Sequence, residues 1–153
     1  MEAIHKYRFF FLIMIRIATI LLATLMLSFS SDNWQTIKNS NGVSVKFKTS
    51  DCKLDNSFLQ KWFLLSFSNE SAVEKKVEWD LALYDRNGKC VTCEDPYGEY
   101  KYTLVLKPGQ KLEGVCDFSC KPELRIVSEL LDVQASMSYP SFELKNFKVS
   151  ENK

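Results

Sequence analysis

Residues 58–83 read FLQKWFLLSFSNESAVEKKVEWDLAL, and this stretch decides the fold class of the chain. Residues 58–67 are apolar on both faces through their centre, which is typical of a strand in the interior of a sheet. Over residues 77–83, apolar residues alternate with polar or small ones, and this period of two predicts a half-buried antiparallel strand. The Asn69-Glu70-Ser71 segment supplies turn residues between them. The stretch therefore predicts two strands joined by a polar turn.

The same alternation recurs on both sides of this stretch. It is present at residues 43–48 and 100–106, and Asn-Gly, Pro or Gly stands in the turns between the apolar runs. Near the C terminus the apolar positions change phase between residues 142–144 and 147–149, which predicts a β-bulge at residues 145–146. Short strands at this spacing are typical of a sandwich or a barrel, and we expect a single all-β domain built as an antiparallel sandwich.

Residues 122–133, PELRIVSELLDV, fit two kinds of structure. Leu124, Val127 and Leu130 lie at helical spacing, and Pro122 stands where helices often begin. The segment also alternates as a strand would, and the segments around it are strands. We therefore favour a strand here and keep one short helix as the alternative.

The first 30 residues have the layout of a secretory signal peptide. Basic residues at 5–8 precede an apolar run, and small residues at 28 and 30 frame a cleavage site after Ser30. A start at Met14 makes this layout tidier, because Arg16 then forms a short basic segment ahead of the apolar residues. We therefore expect residues 1–30 to be a signal peptide.

The alternative for this leader is an uncleaved membrane anchor. Residues 9–29 are long enough to cross a bilayer. However, Arg16 would lie inside the span at a cost of about 2.5–3.5 kcal/mol on insertion scales. We therefore expect cleavage, one domain over residues 31–153, and export to the periplasm or the extracellular space. Membrane attachment would come only through a leader that is not removed.

Charge and histidine content exclude several functions. The 153 residues include 20 Lys+Arg and 19 Asp+Glu, a balance that argues against nucleic-acid binding. The one histidine, His5, lies in the leader, so the mature chain would have none. It could assemble neither a Ser-His-Asp or Cys-His nucleophile nor a histidine-ligated metal site. We therefore expect no catalytic residue, no cofactor and no enzymatic activity.

All five cysteines follow the leader. They are Cys52, Cys90, Cys93, Cys116 and Cys120. In an exported chain such cysteines favour disulfides, and an odd number leaves one thiol unpaired. The pairing stays open between two alternatives: a cross-link from the Cys90/Cys93 pair to the Cys116/Cys120 pair, and a cross-link from Cys52 to either pair.

Two other interpretations of the cysteines are kept. A CxxC followed by a CxxxC is also typical of a four-thiolate zinc site, which would use Cys90, Cys93, Cys116 and Cys120. A CxxC can also be redox-active, but its first thiol then usually stands at a helix N terminus. Cys90 instead follows a predicted turn, so this support is missing.

The turn at residues 94–99 contains the remaining candidate site. Glu94, Asp95 and Glu99 cluster there, and a carboxylate-based hydrolase is therefore a further alternative. Charged groups in Pro/Gly turns are more often merely solvated. Three tyrosines share the region and would line a carbohydrate or peptide surface or cover a sheet edge: Tyr97, Tyr100 and Tyr102.

Two segments carry a resemblance to known proteins: residues 64–79, LLSFSNESAVEKKVEW, and residues 104–114, LVLKPGQKLEG. With them, the chain from Trp34 to Val149 resembles small exported bacterial proteins of unknown function with an immunoglobulin-like β-sandwich. The resemblance implies an antiparallel sandwich and brings no catalytic residues. Together with the leader and the cysteines, it predicts an exported, non-catalytic interaction or accessory module of the cell envelope or extracellular space. Its partner would be a protein or a glycan.

Overall fold

The computed structural model describes residues 33–53, 59–132 and 138–152. The chain divides into two units, 1–33 and 34–153. The predicted signal peptide and the start at Met14 lie outside the described residues. Within the described ranges, no helix has both the length and the apolar character needed to cross a membrane.

Eight strands and one 3-10 helix form the described structure. The strands are β1 (Gln35–Ser40), β2 (Val43–Lys53), β3 (Leu59–Asn69), β4 (Lys75–Tyr84), β5 (Lys101–Leu106), β6 (Lys111–Glu113), β7 (Arg125–Leu130) and β8 (Ser141–Glu151). The 3-10 helix, Pro122–Leu124, directly precedes β7.

The strands form two antiparallel sheets. The larger has the order β1-β2-β3, and both β6 and β7 pair with the far side of β3. The smaller has the order β5-β4-β8. The predicted all-β antiparallel sandwich is therefore confirmed, whereas its immunoglobulin-like character stays a prediction.

The core lies between the two sheets, as the alternation requires. Val77, Trp79, Leu81 and Leu83 are all buried, so the predicted phase of β4 is confirmed. Trp79 stacks on Phe67 of the larger sheet, with ring centroids 4.9 Å apart. Aromatic contacts of this kind join the sheets and add stabilisation beyond the area they bury.

Strand β3 is apolar on both faces because each face packs against something. Its residues from Trp62 to Phe67 are all buried. Phe63, Leu65 and Phe67 belong to the main core. On the opposite face, Trp62 and Leu64 form a small second cluster with Cys52, and Trp34 packs against it. The prediction of an interior strand is confirmed.

The C-terminal change of phase is a β-bulge. The β4–β8 register shifts between Glu78 and Asp80, and Asn146 adopts a φ of 51°. As a result, both pairs on β8 pack in or against the core: Phe142, Leu144, Phe147 and Val149. Asn146 Nδ2 donates a hydrogen bond of 2.6 Å to Asp80 Oδ2 across the bulge.

The ambiguous segment after residue 122 is mainly a strand. Pro122 begins only the short 3-10 helix Pro122–Leu124, and β7 follows it immediately. Strand pairing decides the outcome, because β7 supplies hydrogen-bond partners to β3 with Val127 opposite Trp62. Leu124 and Ile126 are buried in the core.

Candidate functional site

The five cysteines form two disulfides and one free thiol. Cys52 is bonded to Cys116, with Cα atoms 5.3 Å apart. Cys90 is bonded to Cys93, with Cα atoms 5.6 Å apart. Cys120 is free and half-buried. Of the cross-links considered from the sequence, the one from Cys52 is present, and none joins the Cys90/Cys93 pair to the Cys116/Cys120 pair.

The four cysteines of the zinc hypothesis are not gathered into one cluster. Cys90 and Cys93 are bonded to each other, Cys116 is bonded to Cys52, and Cys120 belongs to neither bond. Over residues 33–53, 59–132 and 138–152, no three His, Cys, Asp or Glu side chains are placed to hold a metal ion.

The loop between β4 and β5 carries the Cys90–Cys93 disulfide and is held by a buried threonine. Thr92 Oγ1 donates to the Leu81 carbonyl oxygen at 2.7 Å and accepts from the Leu83 N–H at 2.9 Å. Val91 N–H donates to the Leu83 carbonyl oxygen at 2.8 Å. These bonds fold the CxxC back against β4, so its position does not depend on a helix.

Asp95 organises the second half of this loop. Its carboxylate accepts hydrogen bonds from the backbone N–H groups of Tyr97, Gly98 and Tyr100, at 3.1, 2.9 and 2.9 Å. These bonds, that from Tyr100 foremost, lower the pKa of Asp95. The carboxylate is therefore a turn anchor that stays ionised, which is unsuited to a general acid.

The other predicted residues of this loop do not converge on one site. Glu94 and Glu99 are exposed. Tyr97 is 86% exposed, whereas Tyr100 and Tyr102 pack against the core. Burial raises the pKa of Tyr102. The tyrosines therefore do not share one surface, and two of them cover the sheet.

Lys145 of β8 brings a positive charge to the CxxC. Its Nζ lies 3.3 Å from Cys93 Sγ and 5.7 Å from the centroid of the Tyr84 ring. Lys145 is paired with Asp80 of β4, next to the register shift of the bulge. Sequence reasoning missed this residue, because it lies 52 positions from Cys93.

A groove opens beside this contact, with a volume of about 290 Å³. We call it the disulfide groove. Its polar lining is Asp80, Thr92, Cys93, Asp95, Lys101 and Lys145, with Tyr100 and Asn146. An accessible sulfur beside a cation is an arrangement that favours thiolate chemistry.

A second surface lies on the outer face of the larger sheet. Phe118 is 59% exposed and sits above buried Trp62, with ring centroids 6.1 Å apart. The Arg125 guanidinium lies 5.1 Å from the Trp62 ring and 5.2 Å from the Phe118 ring. Val127, opposite Trp62 on the paired strand, is also exposed. We call these four residues the aromatic patch.

The loop that carries Phe118 is fastened at several points. The Cys52–Cys116 disulfide ties it to the end of β2. Arg125 Nη1 donates to the Asp117 carbonyl oxygen at 3.1 Å, and the Asp117 carboxylate accepts from Ser119 N–H at 2.7 Å. That N–H group is the main cause of the lowered pKa of Asp117. The patch is therefore presented by an organised loop.

Comparisons with known proteins find a similarity to one solved structure. The chain matches no protein-family model and no curated protein sequence. It is similar to the crystal structure of a DUF1425 family member from Shewanella sp. pv-4, at 16% sequence identity and a TM-score of 0.38. The similarity covers 81% of this chain and 94% of that one. No functional assignment follows from it.

Proposed function

We propose that this chain is an exported, non-catalytic β-sandwich that binds a protein partner through the aromatic patch. The proposal rests on the contacts among three residues of the patch. The exposed Phe118 ring lies against buried Trp62, and the Arg125 guanidinium contacts both rings. Aromatic residues and arginine are enriched where protein interfaces concentrate their binding energy. Val127 extends the patch with an aliphatic side chain, which suits a protein surface better than a hydroxyl-rich glycan.

Pre-organisation supports the same function. The Cys52–Cys116 disulfide and the Asp117 hydrogen bonds order the loop before any partner arrives. Less conformational entropy is then lost on binding, and more of the contact energy contributes to affinity. An interaction module gains from this arrangement.

The export part of the proposal rests on redox chemistry and on the leader. Two disulfides in one domain are typical of oxidising compartments, such as the periplasm or the extracellular space. The basic and apolar layout of residues 1–30 is that of a secretory signal.

The non-catalytic part rests on the groups that the domain offers. The sequence after residue 30 contains no histidine. Asp95, the best-placed carboxylate in the β4–β5 loop, is engaged by three backbone N–H groups.

Site-specific photo-crosslinking tests the proposal. A benzophenone amino acid replaces Phe118 in the full chain, expressed in cells that export it, and any crosslinked protein is identified and purified. Titration of the purified pair should then show that Phe118→Ala weakens binding about thirtyfold, the size of a typical hot-spot loss. The unfolding midpoint of Phe118→Ala should stay near that of the parent, because the side chain is 59% exposed.

The same photoprobe at Tyr97 is the matched control, because Tyr97 is more exposed and lies in a different loop. Crosslinks at residue 118 that are absent at residue 97, and that Arg125→Ala removes, would support the patch. Equal crosslinking from both positions would contradict the proposed binding surface. So would an affinity of the purified pair that Phe118→Ala leaves unchanged.

A further inference from the structure

We propose that Cys93 is a thiol-exchange site. The Cys90–Cys93 disulfide opens reversibly when a small, carboxylate-bearing thiol attacks Cys93, and Lys145 stabilises the Cys93 thiolate. The site belongs to the smaller sheet and the β4–β5 loop, so it is independent of the aromatic patch. It is also stoichiometric, and therefore compatible with a protein that is not an enzyme.

Exposure directs the attack to Cys93. Cys93 is exposed, whereas Cys90 is half-buried. In the other disulfide, the sulfur that would leave is buried. Attack at exposed Cys116 would expel Cys52 as a thiolate, and Cys52 is 1% exposed and packs with Trp62 and Leu64. Expelling a thiolate into apolar surroundings is unfavourable, because burial disfavours the charged form. The two disulfides should therefore differ in lability.

The β4–β5 loop does not need its disulfide to keep its conformation. Thr92 is buried and bonded to the backbone of Leu81 and Leu83. Cys90 itself forms a β-bridge with Tyr84. The disulfide joins cysteines only three positions apart, so it removes less entropy from the unfolded chain than the Cys52–Cys116 bond does. The bond can open and re-form while the sandwich stays folded.

The groove favours an anionic thiol. Asp95 is already engaged by backbone N–H groups, and Asp80 accepts a hydrogen bond from Asn146. By contrast, no carboxylate of the described residues lies within ion-pair distance of Lys145 Nζ. Lys101 lines the same groove. The Lys145 ammonium is therefore available to a carboxylate carried by the incoming thiol.

The exchange balances in two steps. The thiolate of the first thiol attacks Cys93 Sγ, a mixed disulfide forms, and the Cys90–Cys93 bond breaks. Cys90 leaves as a thiolate and takes a proton from water. A second thiolate attacks the ligand sulfur of the mixed disulfide, which forms the ligand disulfide and releases the Cys93 thiolate beside Lys145. The protein disulfide is reduced, and two thiols are oxidised to one disulfide.

The test uses the full chain in buffers of reduced and oxidised glutathione, followed by acid quenching, alkylation and peptide mass spectrometry. Cys90 and Cys93 should become reduced at glutathione ratios that leave Cys52–Cys116 oxidised, while the near-ultraviolet circular dichroism stays native. In Cys90→Ser, Cys93 should be trapped as its mixed disulfide with glutathione. In Cys93→Ser, Cys90 should form far less adduct.

Lys145 variants test the role of the charge. Lys145→Met should require a higher ratio of [GSH]² to [GSSG] for half reduction, by up to about eightfold at low salt, the factor for unit charges 3.3 Å apart in water. Lys145→Arg should restore the parent value. Lys148→Met, which removes another β8 lysine, is the matched control and should change little.

Three results would overturn the proposal. The first is reduction of both disulfides at the same glutathione ratio. The second is loss of native circular dichroism as soon as Cys90–Cys93 opens. The third is a half-reduction ratio that is identical in Lys145→Met and the parent.

Discussion

Removing the Cys52–Cys116 disulfide should be the most destabilising change available at the cysteines. The bond joins residues 64 positions apart in the sequence. In the chain-entropy model, closing a loop of that length stabilises the folded state by about 4 kcal/mol. The Cys90–Cys93 bond spans three positions and should contribute about 2 kcal/mol on the same model. Because the sequence separations are 64 and 3, the two double variants should differ in stability by about 2.7 kcal/mol on this model.

The first double variant is Cys52→Ala with Cys116→Ala, and the second is Cys90→Ala with Cys93→Ala. Both are made with Cys120→Ser, because the free thiol would otherwise offer a route to disulfide reshuffling. Urea titration followed by tryptophan fluorescence gives each free energy of unfolding. Buried Trp62 lies in the same cluster as Cys52 and should report the transition directly.

The location of Cys52 makes the expected loss a lower bound. Its side chain is buried against Trp62 and Leu64, so truncation to alanine also removes apolar contacts. A loss for the first double variant that equals or falls below that of the second would refute the reasoning. It would mean that the unfolded chain is already compact enough for the long loop to carry little entropy.

Three further predictions concern the backbone and one carboxylate. Gly114→Ala should destabilise the fold by about 3 kcal/mol or more in urea titration, because its Cβ would stand 2.1 Å from the Leu124 carbonyl oxygen. A Cβ at Gly88 would meet no atom within 4 Å, but φ there is 75°, so Gly88→Ala should destabilise the fold by only about 1–2 kcal/mol. Equal losses of stability in Gly114→Ala and Gly88→Ala would refute the steric clash at residue 114. Asn146→Ala should destabilise the fold by about 1–2 kcal/mol and Asn146→Gly by less, since φ there is 51°. Equal losses in the two variants would assign the effect to the side-chain hydrogen bond to Asp80, which both variants lack. The lowered pKa of Asp95 means that its contribution is present above the unfolded value of 3.8 and is lost as pH falls through the folded pKa. Asp95→Asn should therefore make the free energy of unfolding depend less on pH below about pH 5. An unchanged dependence on pH would show that Asp95 does not contribute to acid destabilisation.

Alternation predicted the strands well because side-chain direction in a strand is a local property. The odd positions of residues 77–83 are buried as their phase requires. The bulge at residues 145–146 was predictable for the same reason, since one inserted residue reverses the face of all that follow. Only the segment after Pro122 was ambiguous, and its pairing with β3 resolves it.

The candidate site was predictable only in its residue types. The CxxC, the acidic turn and the tyrosines are visible in the sequence. Their partners are not: Lys145 reaches Cys93 from a strand 52 positions away, and Arg125 reaches Trp62 from the neighbouring strand. Asp95 anchors the turn because three backbone N–H groups donate to its carboxylate.

By itself, the sequence determined the strand phases, the two-faced burial of β3 and the bulge, because each follows from a period of two along the backbone. The tertiary structure decided which cysteines are bonded. Cys52 meets Cys116 because the end of β2 and the loop before β7 both border β3. Sheet order and register depend on contacts between residues far apart in the chain, and these also place Lys145 at the CxxC and Arg125 over Trp62.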